Sequence, residues 1–419
     1  MTLATIPAHL PFLDILAKQW IAHFNHDTLA TGDGTILLPG RRAARVLKEA
    51  FLRQTNGKTI LLPRIIPIGA LGDSETEITL SQISTAQNVI DLPPAIGSIT
   101  RLATLTRMIL AADSAFHNQT LEQAWFLAQS LADLMDEAER MGIDLHEQLP
   151  HAVQEDFAKH WQHTLRFLSI VTQHWPKWLH EQGAMNPVAR QLALLRMQVA
   201  IWQQQALQAP DHPIWAAGFT NTLSSTIEAL SAILTHPQGH IIFPGLDITT
   251  SDEIFNALPD THPQASMRDL LDALNVKRSN VTLWGSSAEI SERTATLSQI
   301  MLPSKFWDRS TPRKLPGVSR IEVRNDQEEA MAISMLIRNA LEIPHQKIAL
   351  ITPDRKIAQR VMSELERWGI RADDSAGVLL SDTPTAVLLR LIIQAIDHHF
   401  TPVDLLALLK HPLDRKSVV

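Results

Sequence analysis

A series of basic side chains comes directly after a short apolar run and a Pro-Gly turn. Arg41, Arg45 and Lys48 are spaced four and three residues apart, which places them on one face of a helix, with Arg42 beside them. A helix N-terminus with arginine in its first turn can hold an anion such as a nucleic-acid phosphate. A solvated helix face, paired through Glu49, explains the same residues equally well. Both interpretations stay open from the sequence.

A second pattern ends like a phosphate-binding P-loop but lacks the spacing of one. Asn56-Gly57-Lys58-Thr59 supplies the Gly-Lys-Thr ending, yet Leu52 stands where the first glycine of the loop is needed. The segment also leads into an apolar run, whereas a P-loop follows a strand and opens a helix. The pattern therefore predicts a turn and no nucleotide site.

Acidic and histidine-containing segments could serve catalysis or metal binding, but their surroundings favour plainer roles. Asp136–Glu139 resembles a helicase acidic motif, yet the residues before it are helically periodic, which predicts a solvated helix face. Neither His160 and His163 nor the adjacent His398 and His399 have carboxylates nearby in a pattern typical of a metal site. The absence of cysteine excludes disulfides and Cys-ligated metal centres. We therefore predict no catalytic residue and no metal site.

The composition is that of a globular protein. A hydrophobic content of 45% with 19% charged residues is ordinary for globular proteins. The 419 residues are too many for one ordinary core, so we predict two or three domains. A formal net charge of −7 argues against a basic surface throughout, although a local basic channel is compatible with it. The first residues lack the basic start of a signal peptide, and no apolar stretch reaches about 18 residues. We therefore predict a cytoplasmic protein with no membrane partner.

The apolar periodicity predicts a parallel α/β sheet interrupted by helices. The predicted strands of the sheet are 4–6, 35–38, 59–62, 213–217, 239–243 and 280–284. The predicted helices between them are 11–23, 41–53 and 224–234, and residues 99–208 are almost wholly helical. After a proline-rich stretch, the pattern predicts strands 319–323 and 347–351 and helices 327–341 and 355–368.

These elements predict a first α/β domain in two parts, 1–98 and 209–302, with a helical insertion, 99–208, between them. A linker, 303–318, leads to the start of a second α/β domain, 319–413. Residues 414–419 read like translated adapter sequence, so we expect a non-native tail after a truncated second domain.

Several segments resemble the N-terminal half of the AddB family, in its alphaproteobacterial form. The matching segments are Ile6–Asp14, Leu37–Arg45, Leu61–Arg64, Ala216–Gly218, Phe243–Asp247, Thr352–Arg355, Asp373–Gly377 and Leu409–Leu413. The resemblance extends over residues 4–413 and is specific because the segments occur in combination. AddB is the partner of AddA in a helicase–nuclease that resects double-strand breaks.

The resemblance implies a superfamily-1 helicase-like fold whose motor has decayed. The P-loop lysine is missing after the first strand, and the magnesium-binding carboxylate is missing after the strand at 213–217. The residues at these degenerate nucleotide positions are Pro7, Ala8 and His9, and Ala216, Ala217 and Gly218. Full-length subunits belong to an ATP-dependent helicase–exonuclease, whereas this chain is expected not to hydrolyse ATP.

The resemblance also implies partners, namely an AddA-type subunit and single- or double-stranded DNA ends. The segment that contains Arg41, Arg42 and Arg45 falls where related helicases contact single-stranded DNA, and Thr352 and Arg355 hold the equivalent place in the second domain. The family's nuclease domain, with its iron–sulfur cluster and magnesium, is expected beyond this chain, so no cofactor is predicted here. The alternative is an α/β interaction scaffold with no nucleic-acid role.

Overall fold

The computed structural model describes residues 2–68, 92–111, 120–149, 167–208, 211–285, 292–307, 315, 317–375 and 377–413. The chain divides into two compact units, Met1–Pro316 (unit 1) and Gly317–Val419 (unit 2). The division falls inside the segment predicted as a linker, 303–318. The predicted tail, 414–419, lies outside the described residues.

Unit 1 is built on a parallel sheet, which confirms the predicted α/β class. Its described strands are β1 (Thr2–Ile6), β2 (Thr35–Leu38), β3 (Arg64–Pro67), β4 (Ile214–Ala217), β5 (Gly239–Pro244) and β6 (Thr282–Leu283). Their order across the sheet is β3-β2-β4-β5-β1-β6. Because these strands run in the same direction, their carboxyl ends share one edge, where open α/β sheets bind their ligands.

Helices cover this sheet and form most of the described part of the long stretch between β3 and β4. Those of unit 1 are α1 (Phe12–His23), α2 (Arg41–Gln54), α3 (Ser98–Ala111), α4 (Leu121–Met141), α5 (Leu145–Gln148), α6 (Trp175–Gln182), α7 (Pro187–Gln208), α8 (Ser224–Thr235), α9 (Asp252–Asn256), α10 (Ala265–Ala273) and α11 (Glu292–Met301). A π-helical turn, Ile170–His174, precedes α6. The predicted boundaries of α1, α2 and α8 agree with these to within one residue.

The strand side chains alternate between two hydrophobic cores, one on each face of the sheet. Ile36 and Leu38 of β2 join the core formed with α1 and α2. Leu37, between them, joins the core formed with α8 and α10. A strand covered on both faces needs apolar residues at every position, which is why β2 reads as an unbroken apolar run.

The described part of residues 99–208 is helical, as predicted. Helices α3, α4 and α6 share a third core, with Leu105, Met135 and Trp175 among its buried side chains. Across the described residues of the whole chain, no helix combines the length and the apolar character needed to cross a membrane.

The third strand lies further along the chain than its apolar pattern predicts. Residues 59–62 form no strand, and Leu61 and Leu62 are 52% and 37% exposed. Strand β3 begins instead at Arg64, whose N–H donates to the Gly34 carbonyl at 2.9 Å. The physical reason is the register with β2, because Arg64 pairs with Thr35 and this pairing places Ile66 in the core.

Unit 2 contains the helices α12 (Asp326–Leu341), α13 (Arg355–Glu366), α14 (Pro384–Asp397) and α15 (Pro402–Leu409). Helices α12 and α13 pack against each other around Ala330, Ile357 and Val361. Both helices were predicted, with α12 beginning one residue earlier and α13 ending two residues earlier than expected.

The strands predicted for unit 2 do not form among its described residues. Residues 319–323 and 347–351 have no strand hydrogen bonding, and Ile321 and Ile351 are 53% and 93% exposed. Two strands alone make a marginal sheet in water, and a parallel sheet needs both faces covered. The two predicted strands are therefore wrong, and the described residues of unit 2 are helical, while the predicted domain 319–413 stays a prediction.

Candidate nucleic-acid interface

The loops that follow β1, β2, β4 and β5 are neighbours at the carboxyl edge of the sheet. The Gly245 N–H, after β5, donates to the Ile6 carbonyl at the end of β1, at 2.8 Å. A Cβ added to Gly218, after β4, would lie 3.6 Å from Pro39 and 3.7 Å from Phe12. These contacts bring the degenerate nucleotide positions and the start of α2 to one edge of unit 1.

The loop after β1 has too few donors to cradle a phosphate. Pro7 and Pro11 have no N–H, and Leu10 donates its N–H to the Pro7 carbonyl at 3.0 Å. A P-loop needs several backbone amides together with a lysine. The backbone amides of Ala8 and His9 are the remaining donors that this loop could offer a phosphate, and neither residue is a lysine.

The first turn of α1 carries a negative charge where a P-loop helix binds phosphate. Asp14 lies in this turn, and Arg53 donates to its two carboxylate oxygens at 2.8 and 3.0 Å. This bidentate pair joins the beginning of α1 to the end of α2. Arg53 is therefore occupied, and the Asp14 carboxylate opposes a second anion at this helix end.

The end of β4 supplies no ligand for magnesium. The side chains of Ala216 and Ala217 are fully buried, one in each of the two cores of the sheet. Gly218 follows with φ +84°, in the left-handed region that favours glycine. These three residues offer only backbone oxygens, whereas the metal of a nucleotide hydrolase is held by a carboxylate.

A carboxylate does stand at the end of β5, but its hydrogen bonds are local. Asp247 accepts from the backbone and side chain of Thr249 at 2.7 and 2.8 Å, and from those of Thr250 at 3.0 and 2.5 Å. Burial raises the pKa of Asp247, but these four hydrogen bonds together outweigh it and hold the pKa below its ordinary value. Asp247 thus shapes the loop. Sequence reasoning noted this residue only as part of the family resemblance, although an Asp with Thr two and three residues later is typical of such a turn.

Helix α2 presents the predicted basic face at the same edge of the sheet. Its four predicted residues are all exposed, namely Arg41, Arg42, Arg45 and Lys48. The first turn of α2 contains no acidic residue. Arg45 lies 3.8 Å from Glu49, with 83% of the arginine side chain exposed. An exposed pair at this distance is weak, so it leaves Arg45 able to bind another anion.

The two predicted contacts of unit 2 lie at the start of α13, but Arg355 is engaged in an ion pair. The Asp354 N–H donates to the Thr352 hydroxyl at 3.1 Å, which forms the turn before the helix. Arg355 donates to the two carboxylate oxygens of Asp374 at 2.9 and 2.7 Å. A DNA phosphate would therefore have to replace Asp374 at this arginine.

The acidic run of α4 is not the solvated face that its pattern predicts. Asp136 lies 2.8 Å from Arg101 of α3, whose side chain is only 5% exposed. Glu139 accepts a hydrogen bond from Asn186 at 2.7 Å, and of the three acidic residues Glu137 is the exposed one. The prediction failed because residues three apart on a helix share a face, and this face packs against other helices of the insertion.

The P-loop-like segment forms a turn, as predicted. Asn56 and Gly57 both adopt left-handed backbone angles, with φ of 52° and 76°. The Lys58 N–H donates to the Thr55 carbonyl at 3.1 Å, which closes the turn after α2. The Gly-Lys-Thr ending therefore follows the C-terminus of α2 and does not begin a helix.

The histidine pairs give no metal site where they are described. His398 lies 2.9 Å from Asp404 through Nδ1, and Asp404 also accepts from the Thr401 hydroxyl. His160 and His163 fall outside the described residues. Within the ranges that the structure describes, no three His, Asp or Glu side chains are grouped so that they could hold a metal ion.

No protein-family model and no curated protein matches this chain. Its function is therefore inferred from its residues and their geometry. The carboxyl edge of the sheet offers exposed positive charge on α2, but the described loops after β1 and β4 hold neither the phosphate loop nor the metal carboxylate of a nucleotide hydrolase.

Proposed function

We propose that this chain is a helicase-like protein of the AddB type that binds and guides single-stranded DNA without hydrolysing ATP. In this role it takes part in the resection of double-strand breaks in the cytoplasm, together with an AddA-type subunit. The carboxyl edge of the sheet is the face that holds the DNA, and α2 makes the first contact.

The start of α2 is the observation that carries this proposal. Its backbone amides point along the helix axis toward the carboxyl edge, and its first turn contains Arg41 and Arg42 with no acidic residue. Arg45 and Lys48 extend the same exposed basic surface along the helix. Binding of a DNA backbone needs several exposed positive charges but no nucleotide chemistry, which supports a DNA-binding role for this helix.

The loss of ATP hydrolysis is supported at two separate places. The loop after β1 lacks the lysine and the amides that hold phosphates, and Asp14 adds negative charge beside it. The end of β4 lacks the magnesium carboxylate. Loss of either feature would impair hydrolysis, so losing both favours a subunit that uses the motor fold for DNA binding alone.

The test is binding of a fluorescently labelled oligothymidylate, measured by anisotropy over a series of salt concentrations. We expect the affinity to fall steeply as salt rises, because each phosphate contact releases counterions. The variant Arg41→Ala/Arg45→Ala should bind about tenfold more weakly at low salt. Loss of two contacts should also reduce the slope of log affinity against log salt by about 1.4.

The matched control is Arg140→Ala/Arg196→Ala, which removes the same charge from α4 and α7. Both control arginines are exposed and make single surface ion pairs, with Glu137 and Glu228. This control should bind the oligonucleotide as the unaltered chain does. A folded chain that binds no DNA at low salt would overturn the proposal, as would equal losses in the two double variants.

The alternative function, an interaction scaffold without DNA binding, is favoured by exposed apolar side chains in unit 2. Ile393 of α14 is 67% exposed, and Val403 and Leu406 of α15 are 78% and 53% exposed. Surfaces of this kind are typical of protein–protein contacts. The salt series separates the two functions, because a scaffold has no DNA affinity for salt to weaken.

A further inference from the structure

A groove beside α12 and α13 is a second candidate site, and it belongs to unit 2. Its volume is about 400 Å³, within the roughly 300–1,000 Å³ that is usual for ligand sites. Met331, Met335 and Arg338 line it from one face of α12, where they are four and three residues apart. Trp368, just after the end of α13, lines it as well. The groove therefore combines an aromatic ring and two thioethers with a cation.

The apolar side chains of this groove are open to solvent. Met331 and Met335 are 42% and 59% exposed, and Trp368 is 36% exposed. A ligand can reach them, and an aromatic ring that packed against them would remove apolar surface from water. Thioethers and indoles also form favourable contacts with aromatic rings. The groove thus favours a ligand with a flat aromatic part.

Arg338 supplies the positive charge that the groove can offer to such a ligand. Its guanidinium carbon lies 5.0 Å from the centre of the Trp368 ring, a cation–π contact that orients the side chain. Arg338 makes no ion pair within the described part of the chain, so its N–H groups are open to an anion. Arg367, which also lines the groove, is engaged, because it donates to Glu364 at 2.8 Å. Glu364 in turn accepts from Gln327 at 3.0 Å, so its charge is largely satisfied.

We propose that this groove holds one nucleotide of single-stranded DNA, with its base against Trp368 and the methionines and its phosphate on Arg338. Proteins that bind single strands combine aromatic side chains, on which bases stack, with arginine. Glu342 also lines the groove, and its exposed charge weakens this attraction only partly because water screens it. The inference rests on the proposed function, to which it adds a contact that uses none of the residues of α2.

The test compares two fluorescently labelled strands of equal length by anisotropy at low salt. One is oligothymidylate, and the other has the same sugars and phosphates without bases. Contacts through charge alone would hold the two strands equally. The full chain should bind the oligothymidylate about tenfold more tightly, because stacking of a base on an aromatic ring contributes this much. Trp368→Leu should reduce the preference to less than about twofold and leave binding of the baseless strand unchanged.

Trp307→Leu is the matched control, because it removes another exposed tryptophan, which belongs to unit 1. It should keep the full preference for the strand with bases. A second variant, Arg338→Gln, should weaken binding of both strands about threefold through loss of a phosphate contact. Arg324→Gln removes the same charge from another exposed position of unit 2 and should weaken neither. Thermal unfolding checks that each variant is folded.

The outcomes separate this contact from the DNA-binding proposal itself. Equal binding of the two strands, still dependent on Arg41 and Arg45, would overturn the contact and keep the proposed function. The contact is also overturned if the two tryptophan variants behave alike, as they would if the groove received another protein. A folded chain that binds neither strand would overturn both proposals.

Discussion

Gly239→Ala is expected to destabilise unit 1 by at least about 3 kcal/mol, at the upper end of overpacking costs. A Cβ on Gly239 would lie 1.9 Å from the Ile233 carbonyl oxygen and 3.0 Å from that of His236. Both obstacles are backbone atoms, so no side-chain rotation can relieve the clash. Strand β5 pairs with β1 on one side and β4 on the other, so a backbone shift there disturbs both ladders.

Urea unfolding, followed by far-UV circular dichroism, measures this effect. The control is Gly40→Ala at the N-cap of α2, where nothing lies within 4 Å of an added Cβ and φ is −154°. It should cost about 0.5–1 kcal/mol, because alanine is a poorer N-cap than glycine, and this is well below the cost expected for Gly239→Ala. If Gly239→Ala unfolded at the same urea concentration as the unaltered chain, the close approach between α8 and β5 would be wrong.

Much of unit 1 could be predicted because its strands β1, β2, β4 and β5 are buried on both faces. A run such as Thr35–Leu38, closed by Pro-Gly and followed by an amphipathic helix, has few other interpretations. The position of β3 could not be predicted in the same way. Residues 59–62 and Arg64–Pro67 are both apolar enough for a strand, and only the pairing with β2 decides between them.

The second unit shows that strands are harder than helices to predict from the local sequence pattern. Residues 319–323 and 347–351 have the composition of strands, and the helices after them are correctly predicted. Helices α12 and α13 need only each other to bury an apolar face. A strand needs partners on its edges, which its own residues do not reveal.

A candidate site could be predicted when its residues lie on a single helix, and could not when they come from several elements. The exposed face of α2 follows from helical spacing alone, and all four residues lie where that spacing predicts. The environments of Asp136 and Glu139 depend on Arg101 and Asn186, which belong to other parts of the chain. Sequence periodicity identifies a helix face, but it does not say whether another helix covers it.

An aromatic cluster of unit 1 has the buried ring of His240 at its centre. The His240 ring stacks on Trp215 at 4.7 Å between centroids, and Trp284 and His23 lie at 6.4 and 5.7 Å. Burial lowers the pKa of His240 from 6.5 to about 4, against the opposing hydrogen bond to the Gln238 carbonyl. The folded chain thus resists a proton that the unfolded chain accepts at its ordinary pKa.

Stability should therefore be lost as the pH falls from 6.5 toward 4, and His240→Phe should remove part of this loss. Above pH 6.5 histidine is neutral in both states, so His240 contributes its full stability there, and below about 4 both states are protonated. The contribution is about 2 kcal/mol, after reduction for relaxation and partial solvent access. Phenylalanine keeps the ring stacking and cannot be protonated.

Urea unfolding at a series of pH values from roughly 7.5 to 4 measures the effect, because this range covers the interval between the two pKa values of His240. His9→Phe is the control for removing one histidine, because His9 is exposed in the loop after β1 and lies outside the aromatic cluster. The free energy of unfolding should fall less with acid in His240→Phe than in the control. Parallel pH profiles for the two variants would mean that acid acts on unit 1 elsewhere, with His23, His212 and His236 as the next groups to test, since burial also lowers their pKa values.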